Sequence, residues 1–254
     1  MPRKRPIDIQ GHRGARGLFP ENTLEGFLAA SALGVPAFEL DVAMTADGVV
    51  VLSHDPALNP ELTRDASGAW LARHGPTIHS LRYTELNRYD VGRLRPGSPT
   101  ALLFPDQRPH DGARIPTLAA VLAALPDARF TIEVKTHPAH PDWTAPAHLL
   151  ADATAAVVDR AGAASRVIVQ SFDWRVPRHI RRTRPDITLA WLTRAETVGN
   201  AALWWDTPWL AAAPRLTIPA AVAAESGPVW SPDHNDLTEV QIAEAHAFGL
   251  SVLP

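Results

Sequence analysis

Short apolar runs alternate along the chain with longer amphipathic stretches rich in alanine. Eight short runs have the composition of buried strands: residues 7–11, 37–43, 49–54, 130–135, 167–171, 188–192, 229–231 and 250–253. Helical spacing separates most of them, as in PENTLEGFLAASALG, where Asn22 or Thr23 predicts the helix start and Gly34 its end. Strands that alternate with helices predict parallel βαβ units. In 254 residues, this pattern favours a (β/α)8 TIM barrel over a doubly wound sheet.

Two regions interrupt the alternation. Residues 56–115 are rich in proline, glycine, arginine and asparagine, with one short helical pattern, and predict an insertion after strand 3. The chain stops at Pro254, directly after the eighth strand candidate, so an eighth, C-terminal helix is apparently missing. We therefore expect one domain over residues 1–254, with the insertion at one end of the barrel.

Composition excludes several classes of function. A net charge of −3 and a pI near 6.4 indicate no nucleic-acid partner and no anionic membrane surface. The chain has no cysteine, which rules out disulfides and cysteine-ligated metals. No apolar run approaches the roughly 20 residues of a membrane span, and no apolar signal region follows MPRKRP, so we expect no stable membrane insertion and a cytoplasmic location. The oligomeric state stays open.

Charged residues and histidines lie at the ends of four consecutive predicted strands. In AFELDVAM the two acids alternate with apolar residues, and period two places both on one face of the strand. Only two lysines occur in the chain, and one of them stands in TIEVKT on the fourth strand. The set is His12, Arg13, Glu39, Asp41, His54, Glu133 and Lys135. In a (β/α)8 barrel this edge carries the chemistry.

These residue types suit phosphodiester hydrolysis. Three carboxylates form a hard-oxygen site for Mg²⁺ or Ca²⁺. Arginine and lysine neutralise phosphate oxygens, and a histidine pair supplies acid and base near neutral pH. These residues also have purely structural explanations. Glu39 and Asp41 could form an inward salt-bridge network with Arg13, and Glu133 could form an ion pair with Lys135. Asp55 could cap the segment that follows it. The joint arrangement favours a site.

The stretch GHRGARGLFPENTLEGFLAASALGVPAFELDVAMTADGVVVLSHD closely resembles the signature of the glycerophosphodiester phosphodiesterase family, which is a (β/α)8 barrel. The likeness resumes at IPTLAAVLAAL, TIEVKT, VIVQSFDW and AHAFGLSV. The resemblance implies hydrolysis of a small-molecule glycerophosphodiester. In that family the free glycerol hydroxyl attacks phosphorus, and water opens the resulting cyclic phosphate to glycerol 3-phosphate.

The resemblance also implies a role for each matching residue. The metal ligands are Glu39, Asp41 and Glu133, the general acid and base are His12 and His54, the phosphate-binding residues are Arg13 and Lys135, and Glu21 and Asn22 shape the same rim. Phe172 follows the fifth predicted strand, and its ring is expected to line the pocket.

The chain departs from the family at its end: members continue from the eighth strand with a W-T-V-N element and a helix, whereas this sequence stops at GLSVLP, and truncation is the expected explanation. Two alternatives stay open: phospholipase D-type activity on lysophospholipids or other phosphodiesters, and a catalytically inactive barrel that binds phosphodiesters. Trp204, Trp205 and Trp209 form either core or an exposed apolar patch for lipid or a partner.

Overall fold

The computed structural model describes residues 8–206 and 216–254. The strands of this part of the chain are β1 (Gly11–His12), β2 (Ala37–Met44), β3 (Val50–Leu52), β4 (Arg129–Val134), β5 (Val167–Ser171), β6 (Thr188–Thr193), β7 (Val229–Pro232) and β8 (Ser251–Val252). They form one sheet, in which seven strands run parallel in the order β1-β2-β4-β5-β6-β7-β8. The fold is α/β and TIM-barrel-like.

Helices connect most of these strands. They are α1 (Leu24–Ala32), α2 (Tyr83–Leu86), α3 (Pro99–Leu103), α4 (Leu118–Ala124), α5 (Ala147–Arg160), α6 (Arg175–Thr183), α7 (Ala195–Gly199), α8 (Ala201–Trp204), α9 (Ile218–Ala224) and α10 (Glu239–Ala247), with 3₁₀ turns at Ile78–Ser80, Ala164–Arg166 and His234–Asp236. Where the structure describes the chain, no helix is both long and apolar enough to cross a bilayer.

The prediction that residues 49–54 form the third parallel strand of the barrel is wrong. β3 pairs antiparallel with β2, with Val42 opposite Leu52, and stands outside the parallel order. The physical reason is the short connection through Asp47 and Gly48, since parallel neighbours need a crossover of a dozen or more residues. The Asp-Gly pair is a hairpin signal, and Gly48 has a φ of 79° that suits such a turn.

Five tryptophans of the described residues form part of the core. The indole rings of Trp174 and Trp205 stack with centroids 4.1 Å apart, and the side chains of Trp191 and Trp230 are also buried. Trp204 is 9% exposed, so Trp204 and Trp205 pack inside the protein and present no exposed patch. Trp209 lies outside the described residues.

The connection between β3 and α4, residues 53–117, is called the 53–117 segment below. A small apolar cluster, which includes Leu58, Ile78, Leu86 and Ile115, packs it against Val51 of the hairpin. This contact fixes the segment beside the carboxyl ends of the strands.

Helix α1 begins at a well-defined cap. The Thr23 hydroxyl accepts a hydrogen bond from the Gly26 N–H at 3.0 Å and donates one to the Pro20 carbonyl at 2.7 Å. Thr23 is fully buried, so neither partner has water as a substitute. The cap therefore also holds the loop between β1 and α1.

We expect Thr23→Val to lower the free energy of unfolding by about 2 kcal/mol, because it keeps the side-chain volume but leaves two buried backbone groups unpaired. Thr23→Ser is the matched control, since it keeps both hydrogen bonds and loses one methyl, for a cost of about 0.8 kcal/mol. Urea denaturation of both variants measures the difference. A serine variant less stable than the valine variant would contradict this account of the cap.

Candidate active site

A cleft opens at the carboxyl ends of the parallel strands, where barrel enzymes place their chemistry. Its volume is about 640 Å³, within the size range of small-molecule sites. Residues on or after each of the strands β1 to β8 line it.

Three carboxylates converge at this cleft: Glu39 and Glu133 line it, and Asp41 is buried next to them. Glu39 and Asp41 alternate along β2, and the parallel register sets Asp41 beside Glu133 on β4. One oxygen from each of the three acids lies within 4.8 Å of the others. Period-two alternation on one strand and register pairing to the next thus produce the predicted cluster.

Two cations compensate the acids. Lys135 Nζ lies 2.9 Å from Glu133 Oε1 and 3.4 Å from Asp41 Oδ1. Arg13 Nη1 donates to Glu21 Oε1 at 2.9 Å. Arg13 Nε lies 3.1 Å from Asp41 Oδ2, although its N–H is not aligned for a hydrogen bond. Both predicted phosphate-binding residues therefore contact carboxylates.

The surroundings shift the pKa of Asp41 and the pKa of Glu39 in opposite directions. Burial would raise the pKa of Asp41, but the charges of Lys135 and Arg13 prevail and hold it well below its usual range. Burial raises the pKa of Glu39 well above its ordinary value, and repulsion by Asp41 and Glu133 adds to that effect. A cation among the three acids would relieve this repulsion.

The donor set fits a hard divalent cation. It consists of carboxylate oxygens, which Mg²⁺ and Ca²⁺ prefer, with no thiolate in the chain to favour a softer ion. Among the described residues, the site holds four carboxylates but only two cations that pair with them. The carboxylates are those of Glu21, Glu39, Asp41 and Glu133, and the cations are Arg13 and Lys135. Negative charge therefore remains in excess at the position where an ion would be held.

The loop after β1 is shaped around the acids. Asn22 donates from Nδ2 to Asp41 Oδ2 at 3.0 Å, and the Arg13 N–H donates to Glu39 Oε2 at 3.2 Å. Both Arg13 and Asn22 have left-handed backbones, with φ of 53° and 51°. Such conformations persist where surrounding contacts enforce them. Glu21 and Asn22, predicted at the rim, line a smaller cavity that shares His54 and Asp55 with the cleft.

Both predicted histidines line the cleft. His12 is half-exposed, and its Nε2 is 3.5 Å from Glu39 Oε2. Burial of the ring and the nearby charges of Arg13 and Arg16 lower the pKa of His12 to about 4. His12 is therefore neutral at pH 7.

His54 belongs to a hydrogen-bonded chain. Its Nδ1 lies 2.7 Å from Asp55 Oδ1, and the second oxygen of Asp55 accepts from Asn59 Nδ2 at 2.7 Å. Burial would raise the pKa of Asp55, but its hydrogen bond to His54 and its other contacts lower it. Sequence reasoning treated Asp55 only as a cap, although its place next to His54 was a signal for a partner.

Phe172 follows β5 and lines the cleft, as predicted. The guanidinium of Arg194 lies 5.0 Å from the centre of its ring. One face of Phe172 is thus covered by a cation.

Residues 12–254 match the glycerophosphoryl diester phosphodiesterase family. The chain belongs to this family. The curated proteins similar to it include the Mycobacterium tuberculosis protein named "Probable glycerophosphodiester phosphodiesterase 2", 29% identical over 204 residues. That match covers 76% of this chain but only 62% of the relative, and a similar Bacillus subtilis relative is covered over 65% of its length. The chain thus spans slightly less than two thirds of these relatives.

Solved structures of the family have the same fold. A protein from Silicibacter pomeroyi, described as a "Putative glycerophosphoryl diester phosphodiesterase", is 36% identical with a TM-score of 0.85, and the match covers 98% of this chain and 83% of that one. An Oleispira antarctica phosphodiesterase, solved in complex with the product sn-glycerol-3-phosphate, is 19% identical with a TM-score of 0.67, covering 95% and 81%. At that identity the second likeness shows the fold alone.

Sequence reasoning missed several polar residues that line the cleft of this family member. They are Gln10, Arg16, Thr131, Thr136, His137, Gln170, Ser171, Arg194, Ser231, Asp233 and His234. A signal was available for some of them. Thr131 shares the alternation of Glu133 and Lys135, and Gln170 is the register partner of Glu133 on β5.

We expect Mg²⁺ or Ca²⁺ to raise the melting temperature by about 5–10 °C at an ion concentration 100 times Kd, because the ion binds only the folded acid cluster. Glu39→Gln should abolish most of the shift. Asp106→Asn, which removes an exposed acid elsewhere, is the control and should keep it. Differential scanning fluorimetry with and without chelator measures the effect, and an undiminished shift in Glu39→Gln would exclude Glu39 as a ligand.

Proposed function

We propose that this protein hydrolyses glycerophosphodiesters to an alcohol and glycerol 3-phosphate, and that the reaction depends on a divalent cation. The observation that carries the proposal is the convergence of Glu39, Asp41 and Glu133 at a cleft of about 640 Å³ that His12 and His54 also line. Family membership supports it, and so does the product found in the Oleispira antarctica phosphodiesterase.

The proposed chemistry is attack by the free glycerol hydroxyl on phosphorus, followed by opening of the cyclic phosphate by water. A divalent ion, held by the three carboxylates, would supply Lewis-acid stabilisation of charge on the phosphoryl oxygens. Arg13 and Lys135 fix the acids and add positive charge beside them.

His12 and His54 move the protons in this scheme. The attacking hydroxyl must lose a proton, and the departing alkoxide must gain one, so an acid and a base are needed in each step. Asp55 holds the Nδ1 of His54, and its negative charge stabilises the ring when it is protonated. Nε2 is then the nitrogen of His54 left for proton transfer.

The direct test is to incubate the full chain with glycerophosphocholine and glycerophosphoethanolamine in the presence of Mg²⁺, Ca²⁺ or chelator. Release of glycerol 3-phosphate with an ion, and its loss with chelator, is the expected result. A folded protein that forms no product with either ion would refute the proposal. If such a protein still bound glycerol 3-phosphate, the result would support a phosphodiester-binding barrel without catalysis.

We expect His12→Ala and His54→Ala each to lower kcat by about 10²–10⁴-fold, because each removes one proton-transfer group. The melting-temperature shift caused by the ion should survive in both variants, since neither removes a carboxylate. His148→Ala is the matched control, because His148 is exposed on α5 away from the cleft. Wild-type turnover in either cleft variant would remove that histidine from the mechanism.

A second candidate is phospholipase D-type hydrolysis of lysophospholipids by the same residues. The observation in its favour is an exposed apolar pair on α3, Leu102 at 75% and Leu103 at 68% exposure, just before Phe104. Replacing both leucines by serine should lower the rate on lysophosphatidylcholine and leave the rate on glycerophosphocholine unchanged. Equal rates on the lipid before and after the change would count against this candidate.

A further inference from the structure

The cations of the cleft differ in whether they have a carboxylate partner. Arg13 and Lys135 contact the acid cluster, and Arg194 Nη2 lies 2.8 Å from Glu196 Oε2. Arg16 also lines the cleft, yet within residues 8–206 and 216–254 no carboxylate oxygen lies within 4.0 Å of its guanidinium. Among those residues the guanidinium therefore has no direct ion-pair partner.

The 53–117 segment holds Arg16 in place. The guanidinium lies over the ring of Phe104, 5.0 Å from its centre. The Gln107 side chain donates from Nε2 to the Arg16 carbonyl at 2.6 Å, and the Arg108 N–H donates to the Leu18 carbonyl at 2.8 Å. These contacts position both the side chain and the backbone of Arg16, so little conformational freedom is left to lose when it binds a ligand.

Arg16 lies close enough to His12 for its charge to act on the imidazole. Both residues line the cleft together with Glu39 and His54, and the Arg16 charge is one cause of the lowered pKa of His12. Half-burial of the side chain and the charge of Arg13 lower the pKa of Arg16, and the charges of Glu21, Asp41 and Glu39, which lie beyond ion-pair distance, offset this only in part. An anion bound there would supply the missing charge.

We propose that Arg16 is a substrate-binding residue that contacts the phosphate group of the ligand, and that Phe104 positions it. This inference rests on the proposed phosphodiesterase function and deepens it. A guanidinium presents a planar set of N–H donors that matches phosphate oxygens, and stacking on an aromatic ring leaves its N–H edge free. The 53–117 segment would thus act on substrate binding indirectly, by positioning Arg16.

The first test is calorimetric titration of the full chain, loaded with Mg²⁺, with sn-glycerol 3-phosphate. Arg16→Gln should weaken binding by about 10–100-fold, because a charge-assisted hydrogen bond is lost. Arg182→Gln removes an exposed arginine of α6 and is the control with the same change in net charge. In the hydrolysis of glycerophosphocholine, Arg16→Gln should raise KM, and the Mg²⁺-dependent melting shift should stay at the wild-type value.

The second test concerns Phe104. Phe104→Leu keeps Arg16 but removes its aromatic platform, and should weaken binding of sn-glycerol 3-phosphate by about 2–10-fold. Phe104→Tyr restores a ring and should restore the affinity. This pair stays informative even if Arg16→Gln fails to fold.

The outcomes separate this inference from the proposed function. Wild-type affinity in Arg16→Gln, or the same loss in Arg182→Gln, overturns it even if the enzyme is active. Equal affinity of the leucine and tyrosine variants at Phe104 overturns the positioning role. Absence of turnover in the wild type refutes the phosphodiesterase, while the binding titration still decides on Arg16. Absence of sn-glycerol 3-phosphate binding in the wild type overturns the inference as well.

Discussion

Repulsion among three buried carboxylates is the constraint that organises this molecule. Glu39, Asp41 and Glu133 bring oxygens within 4.8 Å of one another, and little of each side chain is exposed to water. Their charges need compensation, and Arg13 and Lys135 supply part of it. The left-handed backbones of Arg13 and Asn22 follow from the same demand, because the loop after β1 must aim one guanidinium, one amide and one backbone N–H at acids on the next strand.

The sheet makes this crowding possible. In a parallel sheet, register pairs the inward residues of neighbouring strands, so acids at alternate positions of β2 meet the acid of β4 without any loop. The antiparallel direction of β3 then brings the residues that follow it, including His54, to the cleft. The strand returns from the Asp47–Gly48 turn toward the cleft, and the Ser53 N–H donates to the Asp41 carbonyl at 3.1 Å. His54 thereby reaches the acids from a segment close to them in sequence.

Much of this could be predicted from the sequence, because strand alternation is a local property. This alternation alone predicts that Glu39 and Asp41 share one face of their strand and that Glu133 and Lys135 share one face of theirs. Three apolar residues in β3 carry no information on strand direction, and only the length of the turn distinguished a hairpin from a barrel strand. Arg16 was missed for a different reason: its contact with Phe104 joins positions far apart in sequence, and no periodicity encodes it. The single-domain boundary and the insertion stay predictions.

Arg13 and Lys135 have a different role from Arg16, because, of the residues described, only the first two are paired with the acids. Without a bound ion, Arg13 and Lys135 form ion pairs with carboxylates, and these carboxylates largely neutralise their charge. A divalent ion among the acids would take over that compensation, and both cations could then also favour a phosphate beside it. Arg16 differs because its charge is available with or without the ion. A site built this way attracts an anion through Arg16 and adds the remaining positive charge only when the carboxylates are occupied. Anion affinity and ion binding are therefore coupled through Arg13 and Lys135 rather than through Arg16.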